Sequence, residues 1–235
     1  MRALIALSLS LSFVFSSSNL DIIRELFTNP NFDKAKHFKG EMAARNSDFY
    51  LTRFYIQDIA PLGKGDEFDV FRVSLSSNDA SEHFDLYVYM LEDAIYAVRS
   101  LAMTGILQNM IYHYEKISED VRKDIDLKNL KLTVAQDSEL IKFGKENLKE
   151  FERIFEIYNS NLADKDERIR RILKALHFSH IENDEGLFML VIGGMVDNVV
   201  GFLRAENKDD VPLMNPSRFI MIEKIAPKWY LFKTT

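Results

Sequence analysis

The polar side chains best suited to chemistry are concentrated in residues 177–185, where histidines and carboxylates follow one another closely. If this segment is extended, His180, Glu182 and Asp184 project from one face, because side chains alternate between the two faces of a strand. Imidazole nitrogen together with carboxylate oxygen suits a zinc ion or a hydrated divalent cation. With His177, these three residues are the candidate metal ligands of the chain.

The same segment also has a simpler interpretation. Its spacing matches no recognised metal-binding motif, and residues 184–186 are typical of a turn at the end of a solvent-exposed strand. The sequence favours this second interpretation, so we predict no bound metal and no cofactor.

Motifs for other kinds of catalysis are missing from the sequence. Serines and histidines occur without a Gly-x-Ser-x-Gly elbow, and the absence of cysteine excludes thiol nucleophiles, thiolate metal sites and disulfides. The acidic pairs Glu92-Asp93 and Asp209-Asp210 lie in predicted turns, where solvation leaves carboxylates poorly suited to general acid–base chemistry. Motifs alone therefore predict no catalytic residue.

The first half of the chain is predicted to be rich in strands. Runs of β-branched and aromatic residues, separated by residues typical of turns, occupy positions 49–59, 68–75 and 84–91. Residues 94–103 could form a further strand or begin the next helix, and we favour the strand. Thr104 is a suitable N-cap for a helix that reaches about Lys116.

The second half is predicted to begin with helices. Residues 118–134 are charged and irregular, and they form the predicted connection between the halves. Apolar residues recur at helical spacing over residues 138–158, which predicts one long amphipathic helix. A shorter helix is predicted for residues 165–176.

Two hairpins are predicted to close the chain. Asp197 and Asn198 form the predicted turn of the first hairpin, whose register places Gly194 opposite Gly201. The second hairpin is predicted from residues 217–225 and 229–233. Together they predict a four-stranded antiparallel meander. The expected fold is α+β, with antiparallel sheets and packed helices in two units, residues 19–134 and 135–235.

The closing segment resembles a group of known proteins. The residues that carry the resemblance are Gly193-Gly194, Asp197-Asn198, Gly201-Phe202, Pro212, Arg218-Phe219-Ile220, Ile222, Ile225 and Trp229-Tyr230-Leu231-Phe232-Lys233-Thr234. They resemble the last strands of exported bacterial proteins of unknown function with NTF2-like or cystatin-like α+β folds. The resemblance implies a cone-shaped pocket, and it brings no diagnostic active-site motif with it.

The N-terminus has the layout of a secretory signal peptide. Arg2 gives a basic start, residues 3–15 are apolar apart from serines, and Ser16 and Ser18 are small residues that suit cleavage after Ser18. Residues 1–18 are therefore predicted to be removed, and the mature protein is predicted to be exported to the periplasm or secreted. The alternative is an ordinary buried N-terminal helix.

The amino-acid composition limits the kinds of molecule that we expect the protein to bind. A content of 47% hydrophobic residues is sufficient for a core, and a net charge of −6 without a basic cluster argues against nucleic acid as a partner. Residues 187–203 are hydrophobic but contain Asp197 and Asn198, which would be costly in a bilayer. We expect a protein or small-molecule partner and no membrane span after signal cleavage.

The favoured function is a non-catalytic exported module that binds a ligand or a protein. The alternative is a small hydrolase or isomerase-like enzyme that uses an NTF2-like pocket. In that case the resemblance implies His180, Glu182 and Tyr230 as candidate catalytic residues. A structural component of the cell envelope is a third class, which the sequence does not separate from the first.

Overall fold

A computed structural model of the chain describes residues 17–45, 48–102, 104–184 and 186–235. Within these ranges the protein is α+β, as predicted, with two antiparallel sheets of four and five strands and packed helices. Most of the predicted signal peptide lies outside the described residues, which begin with Ser17 in the first helix. None of the helices in these ranges has the length and apolar character that a bilayer crossing requires.

Four strands form the N-terminal sheet, in the same order in space as in sequence. They are β1 (Phe54–Lys64), β2 (Asp69–Ser77), β3 (His83–Leu91) and β4 (Ala94–Arg99). The position of β4 confirms the prediction that the segment after residue 93 is a strand. The next helix includes Thr104, which was predicted as its N-cap, and it ends at Tyr112 rather than near Lys116.

Helices cover the outer face of this sheet. They are α1 (Ser17–Thr28), α2 (Lys34–His37) and α3 (Gly40–Ala44). Alternate residues of β2 and β3, such as Phe71 and Val88, pack with Ile23 and Met42 in one hydrophobic cluster. The intervening residues, such as Tyr87, pack in a second cluster that also contains the C-terminal half.

The predicted connection between the halves is largely helical. It contains α4 (Thr104–Tyr112), a 3₁₀ turn (Tyr114–Lys116), α5 (Glu119–Arg122) and α6 (Leu127–Thr133). Asp126 caps α6, because its carboxylate accepts hydrogen bonds of 3.0 Å from the amides of Lys128 and Asn129. Helices this short show no sustained amphipathic period, so their pattern was too weak to predict them.

The long helix predicted for residues 138–158 is in fact two helices, α7 (Asp137–Glu146) and α8 (Leu148–Tyr158). Asn147 separates them, and its side-chain amide donates to the carbonyl of Phe143 at 2.8 Å, a bond that competes with the helical pattern. The α7 helix lies close to the second sheet, since a Cβ on Gly144 would be 2.6 Å from the ring of Phe202. The next helix, α9 (Lys165–Leu176), has the predicted bounds.

Five strands, not four, form the C-terminal sheet. They are β5 (His180–Asp184), β6 (Leu187–Met195), β7 (Asn198–Arg204), β8 (Phe219–Ala226) and β9 (Trp229–Thr234). Their order in space is β5-β6-β7-β9-β8, so the predicted meander is wrong. All six residues of β9 are buried, which requires a central strand, and the chain between β7 and β8 is long enough to place β8 at the edge.

The turn of the β6–β7 hairpin differs by one residue from the prediction. Met195 pairs with Asn198, so the two loop residues are Val196 and Asp197. The hydroxyl of Thr234 donates to the carbonyl of Asp197, and this contact with β9 fixes the turn. Val196 has φ +57°, a left-handed conformation that branched residues rarely adopt.

A bulge shifts the rest of this hairpin. It lies between Val191 and Gly193, and it places Gly201 opposite Val191. Gly194 is opposite Val199, so the predicted pairing of two glycines is also wrong. A bulge inserts one unpaired residue and increases the local twist, which no period-two pattern reveals.

The two halves share apolar and polar contacts. The main hydrophobic cluster contains Tyr87 and Tyr89 from β3 together with Phe232 from β9. The hydroxyl of Tyr89 donates to the carbonyl of Ile220 at 2.8 Å, and Nε of Arg99 donates to the main chain before β8 at 2.7 Å. The predicted boundary near residue 134 falls between α6 and α7.

Trp229 joins α8 to the C-terminal sheet. It is 1% exposed, its ring lies 5.3 Å from that of Phe151, and its Nε1 donates to Glu152 at 2.8 Å. We expect Trp229→Ala to lower the free energy of unfolding by about 3–5 kcal/mol, measured by urea denaturation, because a large cavity remains. Lys208→Ala, on an exposed turn, is the control. Equal midpoints for Trp229→Ala and the parent would contradict the packing described.

Candidate functional site

The structure brings together two of the four candidate metal ligands. On β5, Nε2 of His180 lies 2.9 Å from Oε1 of Glu182. Asp184 pairs with Arg218 instead, and His177 lies 2.8 Å from a carboxylate oxygen of Asp126. Across the part of the chain that the structure describes, no group of three or more histidines and carboxylates is placed to hold a metal ion.

Tyr230, the third candidate catalytic residue, lies away from His180. It belongs to the main hydrophobic cluster, and Nζ of Lys224 lies 5.9 Å from its ring centre. A groove in the protein surface borders His180, and Tyr230 is not among the residues that line it. Its position in a central strand gives it a packing role.

His177 connects two helices. It ends α9 with φ +58°, and its carbonyl accepts a hydrogen bond of 2.7 Å from Asn129 of α6. Its ring also contacts Asp126, the cap of α6. Burial acts to raise the pKa of Asp126, but the hydrogen bonds from His177 and from the backbone amides lower it overall. These contacts hold α6 against the end of α9.

A groove of about 350 Å³ lies beside His180. Its lining residues come from α4, α6, the strands β5 to β7 and the residues that flank these strands. They are Leu107, Asn129, Leu130, Thr133, Ser179, His180, Glu182, Val191, Gly193, Gly194, Met195, Val196 and Val199. Ser179, which the sequence did not single out, places its hydroxyl 2.9 Å from Nδ1 of His180. A serine, a histidine and a glutamate therefore form one hydrogen-bonded chain at this groove.

Gly193 allows α6 to form one wall of this groove. A Cβ at this position would lie 2.5 Å from Oγ1 of Thr133 and 3.2 Å from Oδ1 of Asn129. Only glycine permits this approach of helix to strand. The contact places α6 directly over β6.

A larger cleft, of about 660 Å³, shares no lining residue with the groove among the residues that the structure describes. Several segments contribute to it, and its lining residues are Asp66, Phe155, Gly186, Leu187, Phe188, Arg204, Ala205, Glu206, Asp209, Asp210, Val211, Pro212, Leu213, Asn215, Arg218 and Phe219. The lining combines carboxylates and arginines with aromatic and aliphatic groups. Sequence reasoning missed this site because its residues are far apart along the chain.

Arg204 is fixed in the wall of the cleft. Its side chain is only 9% exposed, and its guanidinium lies 3.8 Å from the centre of the Phe155 ring. Nη1 donates to Glu206, and Nε is buried without a hydrogen bond, 3.5 Å from the nearer oxygen of Glu152. Hydrogen bonds from Lys228 and Arg204 lower the pKa of Glu206, which keeps it ionised.

A buried ionic cluster lies at the junction of the two sheets and α7. Asp137, the first residue of α7, accepts hydrogen bonds from the hydroxyl of Tyr87 at 2.9 Å and from Nζ of Lys233 at 2.8 Å. Its backbone amide donates to Asp85 at 2.7 Å. Arg72 lies 4.0 Å from Asp137 and 3.1 Å from a carboxylate oxygen of Glu223.

Burial raises the pKa of three acidic groups in this cluster. Desolvation raises the pKa of Asp137, although the Lys233 ammonium acts in the opposite direction. Desolvation likewise raises the pKa of Tyr87, which stays protonated and able to donate. The pKa of Glu223 is raised by burial despite the attraction of Arg72. None of these residues lines the groove or the cleft, so the cluster joins the halves rather than contacting a ligand.

Comparison with known proteins adds no constraint, because no protein family, curated protein or solved structure matches this chain.

The raised pKa of Glu223 predicts a pH-dependent contribution to stability. A carboxyl whose pKa is higher in the folded state stabilises that state fully below its unfolded pKa, and this contribution is lost as the pH rises through the folded pKa. The free energy of unfolding of the parent, minus that of Glu223→Gln, should therefore increase as the pH falls from about 8 to about 4.

Urea denaturation at several pH values measures this difference. Glu156→Gln, on the exposed face of α8, supplies the reference series. A difference for Glu223→Gln that decreased on acidification would show that Arg72, rather than burial, controls this carboxyl.

Proposed function

We propose that the protein is an exported binding module whose larger cleft holds a small ligand. The observation that carries this proposal is the wall of this cleft, in which the guanidinium of Arg204 lies 3.8 Å from the centre of the Phe155 ring and donates a hydrogen bond to Glu206. Small-molecule sites typically combine a few fixed polar groups, which orient the ligand, with apolar surface, and the wall of this cleft has both.

The size and lining of the cleft support a ligand with both polar and apolar parts. About 660 Å³ is within the range of small-molecule sites. Leu213 is 57% exposed at the cleft and offers apolar contact, while Asp209 and Asn215 offer polar contact. The described lining includes no serine, threonine, histidine, lysine or tyrosine, and this composition favours binding over covalent catalysis.

The proposal also includes export of the protein and a finer fold class for its C-terminal unit. The basic start, apolar run and small residues of positions 1–18 support export to the periplasm or secretion. Helices α7 to α9 followed by an antiparallel sheet support an NTF2-like or cystatin-like C-terminal unit. The absence of cysteine is compatible with any redox environment.

Leu213→Asp tests the cleft without disturbing the core. The purified mature protein would be incubated with a filtrate of molecules below about 1 kDa from its own culture and examined by native mass spectrometry. We expect a ligand mass on the parent and at least about tenfold lower occupancy on Leu213→Asp, because a charge replaces an apolar contact. Leu162→Asp is the matched control, since Leu162 is 42% exposed and does not line the cleft.

The outcomes separate clearly. Ligand retained by Leu162→Asp and lost from Leu213→Asp supports the cleft. Equal occupancy of the two variants, or no ligand mass on the parent, would refute the proposed binding site.

The proposed export predicts where the signal peptide is cleaved. We expect the mature chain to begin at Asn19, and the intact mass of protein recovered outside the cytoplasm measures this. Asn19 is buried, and its side-chain amide donates to the carbonyl of Glu92 at 3.2 Å, so the new terminus would be anchored. Protein that still carries residues 1–18 would contradict cleavage at this position.

A further inference from the structure

We propose that Ser179, His180 and Glu182 form a nucleophilic centre that hydrolyses esters of short acyl chains. This activity is separate from ligand binding in the cleft, because no described residue lines both sites. The sequence contained the histidine and the glutamate as candidates, and the structure adds the nucleophile beside them.

The hydrogen bonds set the position of each proton. Nε2 of His180 lies 2.9 Å from Oε1 of Glu182, so this nitrogen carries the proton and donates to the carboxylate. Nδ1 is then the basic nitrogen, and it lies 2.9 Å from the hydroxyl of Ser179. This is the relation of nucleophile, base and orienting carboxylate that serine hydrolases use, with the two ring nitrogens exchanged.

The reaction balances with water as the second substrate. Oγ of Ser179 attacks the ester carbonyl while its proton passes to Nδ1 of His180. The C–O bond to the alcohol then breaks, and the alcohol leaves with that proton. Water, deprotonated by Nδ1, attacks the acyl-serine, and the carboxylic acid is released as the proton returns to Ser179. Glu182 stabilises the imidazolium formed in both steps.

The groove determines the class of substrate. Beside the three polar groups its wall is largely aliphatic, and the residues that form this part are Leu107, Leu130, Val191, Met195, Val196 and Val199. A volume of about 350 Å³ is at the lower end of small-molecule sites, which suits a short acyl chain rather than a long one.

Local backbone contacts fix the nucleophile. The amide of Ser179 donates to the carbonyls of both Val191 and Ile192, at 2.9 and 3.1 Å, where the β6 bulge begins. Asn129 donates to the same Ile192 carbonyl at 2.5 Å. The bulge therefore positions Ser179 beside the groove.

Hydrolysis of p-nitrophenyl butyrate by the purified protein tests the proposal. General base catalysis contributes about 10²–10⁴-fold, so Ser179→Ala and His180→Ala should each lower kcat/KM by at least about 100-fold. Glu182→Gln should lower it by a smaller factor, because the amide oxygen still accepts the hydrogen bond from the imidazole N–H but carries no charge. Ser118→Ala, at an exposed serine without a side-chain cap bond, is the matched control and should retain the parent rate.

Covalent labelling distinguishes a true nucleophile from a surface imidazole. A fluorophosphonate probe should add one label to the parent, which peptide mass spectrometry locates at Ser179, and none to Ser179→Ala or His180→Ala. Circular dichroism melting confirms that these exposed-site variants are folded. Ester hydrolysis unchanged in Ser179→Ala, absence of labelling at Ser179, or no hydrolysis by the folded parent would each overturn the proposal. Loss of both signals in the cleft variant Leu213→Asp would overturn the separation of the two sites.

Discussion

The buried carboxylate of Asp137 is the interaction on which the arrangement of the two sheets depends. It stands at the start of α7 and receives Tyr87 from the N-terminal sheet and Lys233 from the C-terminal sheet. A charge taken out of water is tolerated only when its partners are in place, so both sheets and the helix must be correctly positioned together. Replacement of one partner would leave the others buried without compensation. The cluster therefore specifies one docking of the halves, which apolar packing alone would leave less defined.

The two sites occupy different parts of the C-terminal sheet, and the cluster lies in neither. β9 carries Lys233 into the cluster and Trp229 toward Glu152, which in turn lies beside Arg204 in the cleft. The groove is formed where α6 contacts β6 through Gly193. The central strand β9 thus supports the cleft through Trp229 and Glu152, while the groove depends on a helix held by contacts at its end. We expect the groove to be the more adaptable of the two.

Sequence patterns predicted the features that are local in the chain. Alternation placed His180 and Glu182 on one face of β5, and helical spacing gave α9 its bounds. The helix break at Asn147 and the bulge before Gly193 depend on single hydrogen bonds and close contacts, which leave no periodic signal. The order of β8 and β9 and the cleft around Arg204 are set by contacts between distant segments. The sequence analysis did not identify Ser179 as a candidate nucleophile, because a serine can act as one only when the fold places a base within hydrogen-bonding distance of its hydroxyl.

The backbone at Val196 links stability to the groove. A left-handed conformation costs a residue with a side chain roughly 1–2 kcal/mol, and a branched side chain makes it less favourable still. Val196 is 95% exposed, so burial offsets little of this cost, yet its side chain borders the groove. Glycine would relax the turn and also remove an apolar surface at the groove mouth. At the tip of this hairpin, a substitution that raised thermal stability would therefore also alter the groove wall that faces the substrate.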